Sequence, residues 1–332
     1  MSQGGYIPYH LRTNKAIERQ IFVDTLKKIH TYRSIFEYIY VGFGGPFLED
    51  FKLLHNAFDF RNMISLEVDE NVVERQNFNK PYSCITCKHA DSRSFVDEYH
   101  STIGKYGSIV WLDYTRPKAF KQQLNETVDL IGKMKDYDIF RVTFNANPAS
   151  LLENQNGMHP ETLKKERLRV LQNRIGHYFL ESQLDPEMMT HKNFPGAINI
   201  VVRNAIEQSV QSGHVFLPLT VFAYADGQQM YTLTGIVLPI EKRSEFIETT
   251  GLEKGWSFYN DGWTDPIVID VPPLSVQEKQ AIDAHLPLDD IDDKILEDII
   301  RTLGFKFDAK NEMLASYVKY YRQFPQFSKM AI

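Results

Sequence analysis

The sequence has few of the features that mark secreted, disulfide-stapled or membrane-spanning chains. Its 332 residues include only two cysteines, Cys84 and Cys87, which excludes a disulfide framework and favours a reducing cytoplasm as the location. No charged segment followed by an apolar run stands near Met1, so no signal peptide is expected. No apolar run approaches the roughly 20 residues that span a bilayer, so no membrane association is expected.

An excess of positive charge is also absent. The formal net charge at pH 7 is −6, which gives no overall attraction toward nucleic acid. This net charge does not exclude a local basic patch that binds nucleic acid. Hydrophobic residues make up 43% of the chain and charged residues 24%, which is the composition of a globular protein with a sizeable core. The length suits one large domain, or one domain with a smaller partner.

Apolar strands and amphipathic helices alternate over the first half of the chain. A helical stripe of apolar residues runs from Thr13 to about His30. Strands are predicted after it at 34–41, 63–68, 82–87, 108–112 and 139–144, with helices between most of them. This alternation is typical of a doubly wound, mostly parallel sheet.

The second half of the chain predicts helices at about 160–184 and 195–211, followed by two β-rich runs. Asp226-Gly227 joins these runs, and this dipeptide is among the strongest short signals of a hairpin. Beyond about residue 240, a capping box of Ser275 and Glu278 precedes an acidic helix and an aromatic tail.

We therefore predict an α/β fold with a doubly wound, mostly parallel seven-stranded sheet that ends in an antiparallel hairpin. Residues 1–240 are expected to form the main domain, with a helical insertion at about 149–195. Residues 241–332 are expected to form a small, mainly helical C-terminal appendage.

A glycine-rich loop follows the first predicted strand, in the stretch YIYVGFGGPFLED. Gly42, Gly44 and Gly45 let a ligand approach the backbone closely, and the helix that follows favours polar or anionic groups at its N-terminus. Glu67 ends the second predicted strand, where a carboxylate can accept hydrogen bonds from ribose hydroxyls. The loop together with this acid predicts a ligand that contains a nucleoside.

The glycine loop, the spaced acid and the terminal hairpin together resemble the class I AdoMet-dependent methyltransferases, over roughly residues 10–240. Sheets of that family carry a reversed seventh strand that a hairpin from the sixth strand introduces. The resemblance implies S-adenosyl-L-methionine (AdoMet) as the cofactor. It also implies that Gly42, Gly44, Gly45 and Glu67 hold that cofactor.

The resemblance extends to further residues. Asp91, in CKHADSRSF, lies where the family's acid contacts the adenine amino group. Arg12 or Lys15, in a segment similar to the lead-in helix of some RNA and DNA base methyltransferases, can meet the cofactor's carboxylate. Asp113, in IVWLDYTRP, lies where the fourth motif stands beside the reactive methyl group, and it is the candidate to orient the acceptor or remove its proton.

Two departures from the family pattern affect the expected activity. Tyr40 stands where an acid ordinarily precedes the glycines, and Pro46 replaces the last glycine of the motif. The run that begins at Asp113, DYTR, lacks the Pro-Pro-aromatic motif of enzymes that methylate amino groups of bases. The predicted acceptor is therefore an unidentified oxygen or nitrogen.

Two other functions stay open. The altered first motif suits a non-catalytic interaction module that binds a protein partner in a multiprotein assembly, for example in bacterial defence. A nicotinamide oxidoreductase is disfavoured, because the dinucleotide motif G-x-G-x-x-G requires glycine where Phe47 stands and because the sheet ends in a hairpin.

Several of these residues also have a purely structural interpretation. The glycines can form a tight turn, Glu67 can be a solvated strand end, and Asp91 can cap the next helix. Asn145 and Asn147 can shape the turn before Pro148, or they can supply oxygen ligands to Mg²⁺. Carboxylates are few there, so no metal is predicted.

Overall fold

The strands of the protein form a single mixed sheet. The structure is a computed structural model that describes residues 12–180, 182–260, 262–288 and 291–325. Its strands are β1 (Ile39–Gly42), β2 (Asn62–Glu67), β3 (Ile85–His89), β4 (Ser108–Asp113), β5 (Ile139–Asn145), β6 (His214–Asp226), β7 (Gln228–Pro239) and β8 (Ile267–Ile269). Their order across the sheet is β3-β2-β1-β4-β5-β7-β6-β8.

Strands β1 to β5 pair in parallel, whereas β7 lies antiparallel to both β5 and β6. The predicted doubly wound, mostly parallel sheet with a terminal antiparallel hairpin is therefore confirmed. The described sheet has one strand more than expected, because β8 pairs in parallel with β6. Three residues are too few to display a strand period in the sequence. β3 begins at Ile85 because a turn occupies 81–84.

Helices cover both faces of the sheet. They are α1 (Thr13–Tyr32), α2 (Glu49–Phe58), α3 (Glu70–Asn79), α4 (Ser92–Asp97), α5 (Tyr99–Ile103), α6 (Phe120–Ile131), α7 (Pro160–Ile175), α8 (Phe194–Glu207), α9 (Arg243–Thr250), α10 (Val276–Asp283), α11 (Asp293–Leu303) and α12 (Glu312–Tyr320). Helix α7 ends earlier than predicted, because Gly176 turns the chain with a φ of +59°.

The two faces of the sheet have separate apolar cores. In β4, Ile109 and Trp111 pack with residues of α1, α2 and α9, whereas Val110 and Leu112 pack with residues of α4 to α8. This alternation follows from the two-residue period of a strand. Because both faces are covered, β4 reads in the sequence as a continuous apolar run.

Helix α1 begins at the turn of the β6–β7 hairpin. The Asp226 carboxylate accepts the backbone N–H groups of Asn14 at 3.4 Å and Lys15 at 2.7 Å, and so caps the helix. The Asn14 side chain donates to Ala225 O at 3.0 Å and accepts the N–H of Val271 at 3.0 Å. A residue 211 positions later in the chain therefore caps the start of α1.

The C-terminal helices α10 to α12 share a small apolar core of their own, in which Ile282, Leu296 and Tyr317 are buried. The predicted capping box of Ser275 and Glu278 is present at the start of α10. Part of the predicted acidic helix, at 289–290, lies outside the described residues. In the described ranges, no helix has the length and apolar character needed to cross a membrane.

Candidate functional site

A cavity of about 930 Å³ opens at the carboxyl ends of the parallel strands. Glu67 at the end of β2, Asp113 at the end of β4 and Asn145 at the end of β5 contribute to its wall. Asp226 and Gly227, in the hairpin turn, also belong to the wall. Ligands of doubly wound sheets bind in this crevice, and small-molecule sites ordinarily measure about 300–1,000 Å³. Position and volume therefore both indicate a small-molecule site.

Most of the residues predicted from the sequence meet at this cavity. The predicted residues that line it are Arg12, Lys15, Gly45, Glu67, Asp91 and Asp113. They come from the start of α1, from the loop after β1 and from the ends of β2, β3 and β4. The fold thus gathers into one wall residues that are far apart in the chain, while Gly42 and Gly44 lie outside it.

Packing within the protein explains the glycines at positions 42 and 44. A Cβ at Gly42 would lie 2.7 Å from the Tyr40 hydroxyl, and a Cβ at Gly44 would lie 2.3 Å from Cδ2 of Leu48. Gly45 differs, because no atom lies within 4 Å of its Cβ position and its φ is +51°. Of the three loop glycines, Gly45 is therefore the one that leaves open space at the cavity.

Local hydrogen bonds hold the two predicted cofactor acids in place. Glu67 Oε1 accepts the backbone N–H groups of Val68 at 2.8 Å and Asp69 at 3.1 Å. Asp91 Oδ1 accepts the N–H of Ser94 at 2.7 Å and caps α4, so its structural interpretation is confirmed. These hydrogen bonds hold the pKa of Asp91 below its ordinary value. Asp91 is therefore an ionised hydrogen-bond acceptor at neutral pH.

Asp113 and Lys15 form an ion pair at the wall of the cavity. Asp113 Oδ2 lies 3.8 Å from Lys15 Nζ, and the side chains are 18% and 13% exposed. Burial, with repulsion from Arg19 as the next cause, lowers the pKa of Lys15 to about 8, although Asp113 acts in the opposite direction. An amine with this pKa can gain and lose a proton near neutral pH, which an ordinary lysine does not.

A buried ion-pair network lies behind Lys15 and Asp113, and it was not predicted. Arg19 Nε donates to Asp50 Oδ1 at 2.7 Å, and another nitrogen of Arg19 lies 3.9 Å from Asp113 Oδ2. The side chains of Arg19 and Glu18 are 2% and 0% exposed. The signal that could have revealed the network is Glu18-Arg19 itself, because charges inside a buried apolar stripe require partners.

Arg141 of β5 joins this network to the sheet. Its guanidinium pairs with the Glu18 carboxylate and donates to Thr234 Oγ1 at 2.8 Å. The guanidinium carbon also lies 4.2 Å from the ring centroids of both Phe22 and Trp111. A guanidinium between two aromatic faces is a favourable cation–π arrangement. The network therefore ties α1, which carries Lys15, to the central strands.

Glu126 forms a second cluster at the cavity wall that the sequence did not reveal. Tyr114 Oη and Ser92 Oγ each donate to Glu126 Oε2 at 2.6 Å, and Gln122 Nε2 donates to Oε1 at 2.8 Å. Burial, and then the Glu126 charge, raises the pKa of Tyr114 well above its ordinary value. Tyr114 is thus a hydrogen-bond donor that fixes this wall, since it stays protonated.

The asparagines after β5 shape a turn. Asn145 Oδ1 accepts the N–H of Asn147 at 3.0 Å, and Asn147 Oδ1 accepts the N–H of Ala149 at 3.0 Å. The oxygens considered as Mg²⁺ ligands are therefore engaged locally. In the part of the chain that the structure describes, no group of three or more His, Cys, Asp or Glu side chains is placed to hold a metal ion.

The strand order and the position of the cavity define a class I AdoMet-dependent methyltransferase fold. The profile of a protein family described as "Putative O-methyltransferase" matches residues 7–332, nearly the whole chain. The chain belongs to this family of methyltransferases. No curated protein matches the sequence.

Solved methyltransferase structures are similar to the chain at low sequence identity. Trm1 from Pyrococcus horikoshii, solved with S-adenosyl-L-methionine, is 13% identical with a TM-score of 0.42, covering 92% of this chain and 75% of that chain. N-methyltransferase NodS from Bradyrhizobium japonicum is 8% identical with a TM-score of 0.36, covering 67% and 97%. A SAM-dependent methyltransferase from Anabaena variabilis is 14% identical with a TM-score of 0.35, covering 68% and 86%.

Proposed function

We propose that this protein transfers the methyl group of AdoMet to an oxygen acceptor. The observation that carries the proposal is one cavity at the strand ends that Glu67, Asp91, Lys15 and Asp113 all line. The family's description supports oxygen over nitrogen as the acceptor atom.

The residues of the cavity suit AdoMet. Glu67 and Asp91 are acids at neighbouring strand ends, suited to the ribose hydroxyls and to the adenine amino group. Arg12 and Lys15 supply cations for the carboxylate of the methionine portion. Gly45 lines the cavity and has open space around its Cβ position. Apolar residues of the wall, Phe43, Leu66 and Ala90, suit a purine ring.

Bound AdoMet would supply an electrophilic methyl group, so that the carbon–sulfur bond would break, with its electron pair left on sulfur, as the acceptor oxygen bonds to the methyl carbon. The protein contributes position, because holding the acceptor in line removes most of the entropic part of the barrier. Asp113 stands at the wall where it can orient the acceptor. A hydroxyl acceptor must also lose its proton, which a side chain of the cavity can accept.

Calorimetric titration of the purified protein with AdoMet, S-adenosylhomocysteine and NADH tests the proposal. We expect the first two to bind and NADH not to bind. Glu67→Ala should weaken AdoMet binding by about 10- to 100-fold, because a hydrogen bond to a charged group contributes about 1.5–3 kcal/mol. Glu70→Ala is the matched control, since Glu70 is an exposed carboxylate at the start of α3 and lies outside the cavity wall.

Circular dichroism of Glu67→Ala is needed beside the titration, because its carboxylate also accepts two backbone hydrogen bonds. A folded variant with unchanged AdoMet affinity would contradict the site assignment. Binding of NADH alone would favour an oxidoreductase.

A non-catalytic interaction module is the second candidate. The observation in its favour is Tyr40, which is 1% exposed and lies in the motif position where an acid is usual. Its hydroxyl occupies the space beside Gly42. A folded protein that binds neither AdoMet nor S-adenosylhomocysteine, and that copurifies with a stoichiometric protein partner, would support this alternative.

A further inference from the structure

We propose that Glu126 positions Asp91 to accept the amino group of adenine, and so makes the cofactor site selective for adenine over hypoxanthine. The inference rests on the proposed function, because it concerns the adenine end of the same cavity. It goes further by assigning a role to a buried carboxylate of α6 and by naming the contact with the base that this carboxylate controls.

The Glu126 carboxylate connects two parts of the cavity wall. Glu126 is only 1% exposed, although it belongs to that wall. Its Oε2 accepts Tyr114 Oη and Ser92 Oγ, each at 2.6 Å, and its Oε1 accepts Gln122 Nε2 at 2.8 Å. Hydrogen bonds of this length from a hydroxyl to a carboxylate are charge-assisted, and they are roughly twice as strong as bonds between neutral groups. One carboxylate oxygen therefore joins the start of α4 to the residue that follows β4.

Tyr114 ties Glu126 to the sheet. The backbone N–H of Tyr114 donates to Thr143 O at 3.0 Å, beyond the last paired residues of β4 and β5. Its ring is stacked on that of Phe144 at 5.7 Å between centroids, and it meets the ring of Phe43 edge-on at 6.1 Å. The backbone and the ring of Tyr114 are therefore both held, and its hydroxyl gives the Glu126 carboxylate a fixed place beside the strand ends.

Ser92 transmits this fixed place to Asp91. Asp91 is the N-cap of α4, and Ser92 is the first residue of that helix. The Asp91 carboxylate accepts the N–H of Ser94 at 2.7 Å, so its direction follows the first turn of α4. The hydrogen bond from Ser92 to Glu126 holds that same turn. The direction of the Asp91 carboxylate at the cavity therefore depends on a residue of α6.

A second connection between α4 and α6 lies outside the cavity wall. Arg93 of α4 pairs with Asp129 of α6, and their side chains are 41% and 42% exposed. An exposed ion pair contributes little, because solvent weakens it and holding two long side chains in one geometry costs entropy. The buried contact through Glu126 is therefore the connection that sets the first turn of α4.

An acid that is held in one direction can distinguish two purines. The amino group of adenine donates a hydrogen bond to a carboxylate, whereas hypoxanthine presents a carbonyl oxygen at this position, which a carboxylate repels. A site built around such a hydrogen bond rejects an analogue that lacks the donor. If Asp91 is free to turn away, the repulsion is relieved and the selectivity falls. Selectivity for the base, and not affinity alone, therefore reports the role of Glu126.

Calorimetric titration of the full chain with S-adenosylhomocysteine and with S-inosylhomocysteine, which carries hypoxanthine, tests the inference. In the wild type we expect S-adenosylhomocysteine to bind about 10- to 100-fold more tightly. Glu126→Gln keeps the shape of the side chain but removes its charge, and it should lower this ratio by at least about fivefold. Asp129→Asn is the matched control, since it removes the surface connection between the same two helices, and it should leave the ratio unchanged.

Ser92→Ala is the smaller change, because it removes one hydrogen bond of Glu126. It should also lower the ratio, and it decides the question if Glu126→Gln does not fold. The double variant Glu126→Gln/Ser92→Ala completes a cycle. If Ser92 acts through Glu126, the double variant loses no more of the ratio than the more affected single variant, because the two residues act as one unit. Losses that multiply would overturn the inference.

The remaining outcomes are equally decisive. Equal weakening of both ligands in Glu126→Gln would mean that Glu126 only stabilises the fold, and it overturns the inference, as does unchanged binding of both. A ratio that falls as far in Asp129→Asn overturns it too. A wild type that binds both ligands equally overturns the inference while the proposed function stands. Failure of AdoMet and S-adenosylhomocysteine to bind the folded wild type instead removes the proposed function, and this inference with it.

Discussion

The Arg141 guanidinium and the Glu18 carboxylate pair in the interior of the protein, and both side chains are fully buried. The pair connects the central strand β5 to α1, the helix that carries Lys15. Desolvation makes such a pair costly to build, so its main contribution is to fix one arrangement of α1 on the sheet. The geometry at the cavity wall thus depends on residues that do not line the cavity.

Breaking this pair from one side is expected to destabilise the protein more than removing it altogether. Arg141→Met leaves the Glu18 carboxylate buried without its main partner, at a cost of about 3–5 kcal/mol. The double variant Glu18→Leu/Arg141→Met should recover much of that loss, because no unpaired charge remains. Urea unfolding of both variants and of the wild type measures the difference. A double variant less stable than Arg141→Met would contradict the expectation.

Lys15→Met is expected to stabilise the protein at pH 7. The pKa of Lys15 is about 8 in the folded protein and about 10.5 in the unfolded chain, so unfolding takes up a proton between these values. The cost of burying the ammonium is fully present below pH 8 and disappears as the pH rises to about 10.5. The gain at pH 7 is about 3 kcal/mol, because each tenfold loss of proton affinity on folding costs roughly 1.4 kcal/mol.

Urea unfolding at pH 7 and at pH 10 checks this sign. The difference between Lys15→Met and wild type should shrink at the higher pH, whereas Lys27→Met, which changes an exposed lysine on the same helix, should show no such trend. A constant difference would mean that the pKa of Lys15 is not lowered in the folded protein.

The loop glycines are expected to respond differently to alanine. Gly44→Ala places a Cβ 2.3 Å from Leu48 Cδ2, and we expect a loss of about 1–3 kcal/mol through overpacking. Gly45→Ala meets no atom within 4 Å and costs about 1–2 kcal/mol of backbone strain at its positive φ. Gly45→Ala should in addition weaken AdoMet binding, because Gly45 is the loop glycine that lines the cavity.

Thermal unfolding and AdoMet titration of the two variants separate packing from ligand contact. Equal AdoMet affinity in Gly45→Ala and wild type would remove Gly45 from the binding surface.

The hairpin cap of α1 gives a further prediction. Asp226→Ala removes the acceptor for the N–H groups of Asn14 and Lys15, and we expect a loss of about 0.5–2 kcal/mol. Asp226→Asn keeps an acceptor oxygen and should lose less. Hydrogen exchange of the amides at Asn14 and Lys15 should accelerate in the alanine variant before global unfolding does. Unchanged exchange at these amides would show that the cap does not hold the helix start.

The regular part of the fold could be predicted because its signals are local. The apolar run at β4 and the Asp226-Gly227 turn can each be recognised from a few neighbouring residues in the sequence. Residues at strand ends, such as Glu67 and Asp113, could also be placed, since parallel strands bring their carboxyl ends to one edge of the sheet. These local patterns account for the acids that line the cavity at the ends of β2, β3 and β4.

What could not be predicted depends on contacts between distant residues. Nothing near Arg141 indicates that its partner is Glu18, 123 positions earlier in the chain. Nothing near Asn14 indicates that the acceptor for the first amides of α1 is Asp226, more than 200 positions later in the chain. The sequence pattern indicates that Gly44 binds a ligand, whereas the structure shows that Leu48 packs against it. Such close packing leaves no periodic pattern in the sequence.

The hydrogen bond from the Lys15 backbone N–H to the Asp226 carboxylate joins residues that are 211 positions apart in the chain. A ribosome makes α1 early, but the residue that completes the first turn of this helix is added only when the β6–β7 hairpin is synthesised. A nascent chain that stops before this hairpin has the glycine loop and the acids of β2 and β3, yet it lacks a finished pocket. The wall of the pocket is therefore finished only after the β6–β7 hairpin has been synthesised.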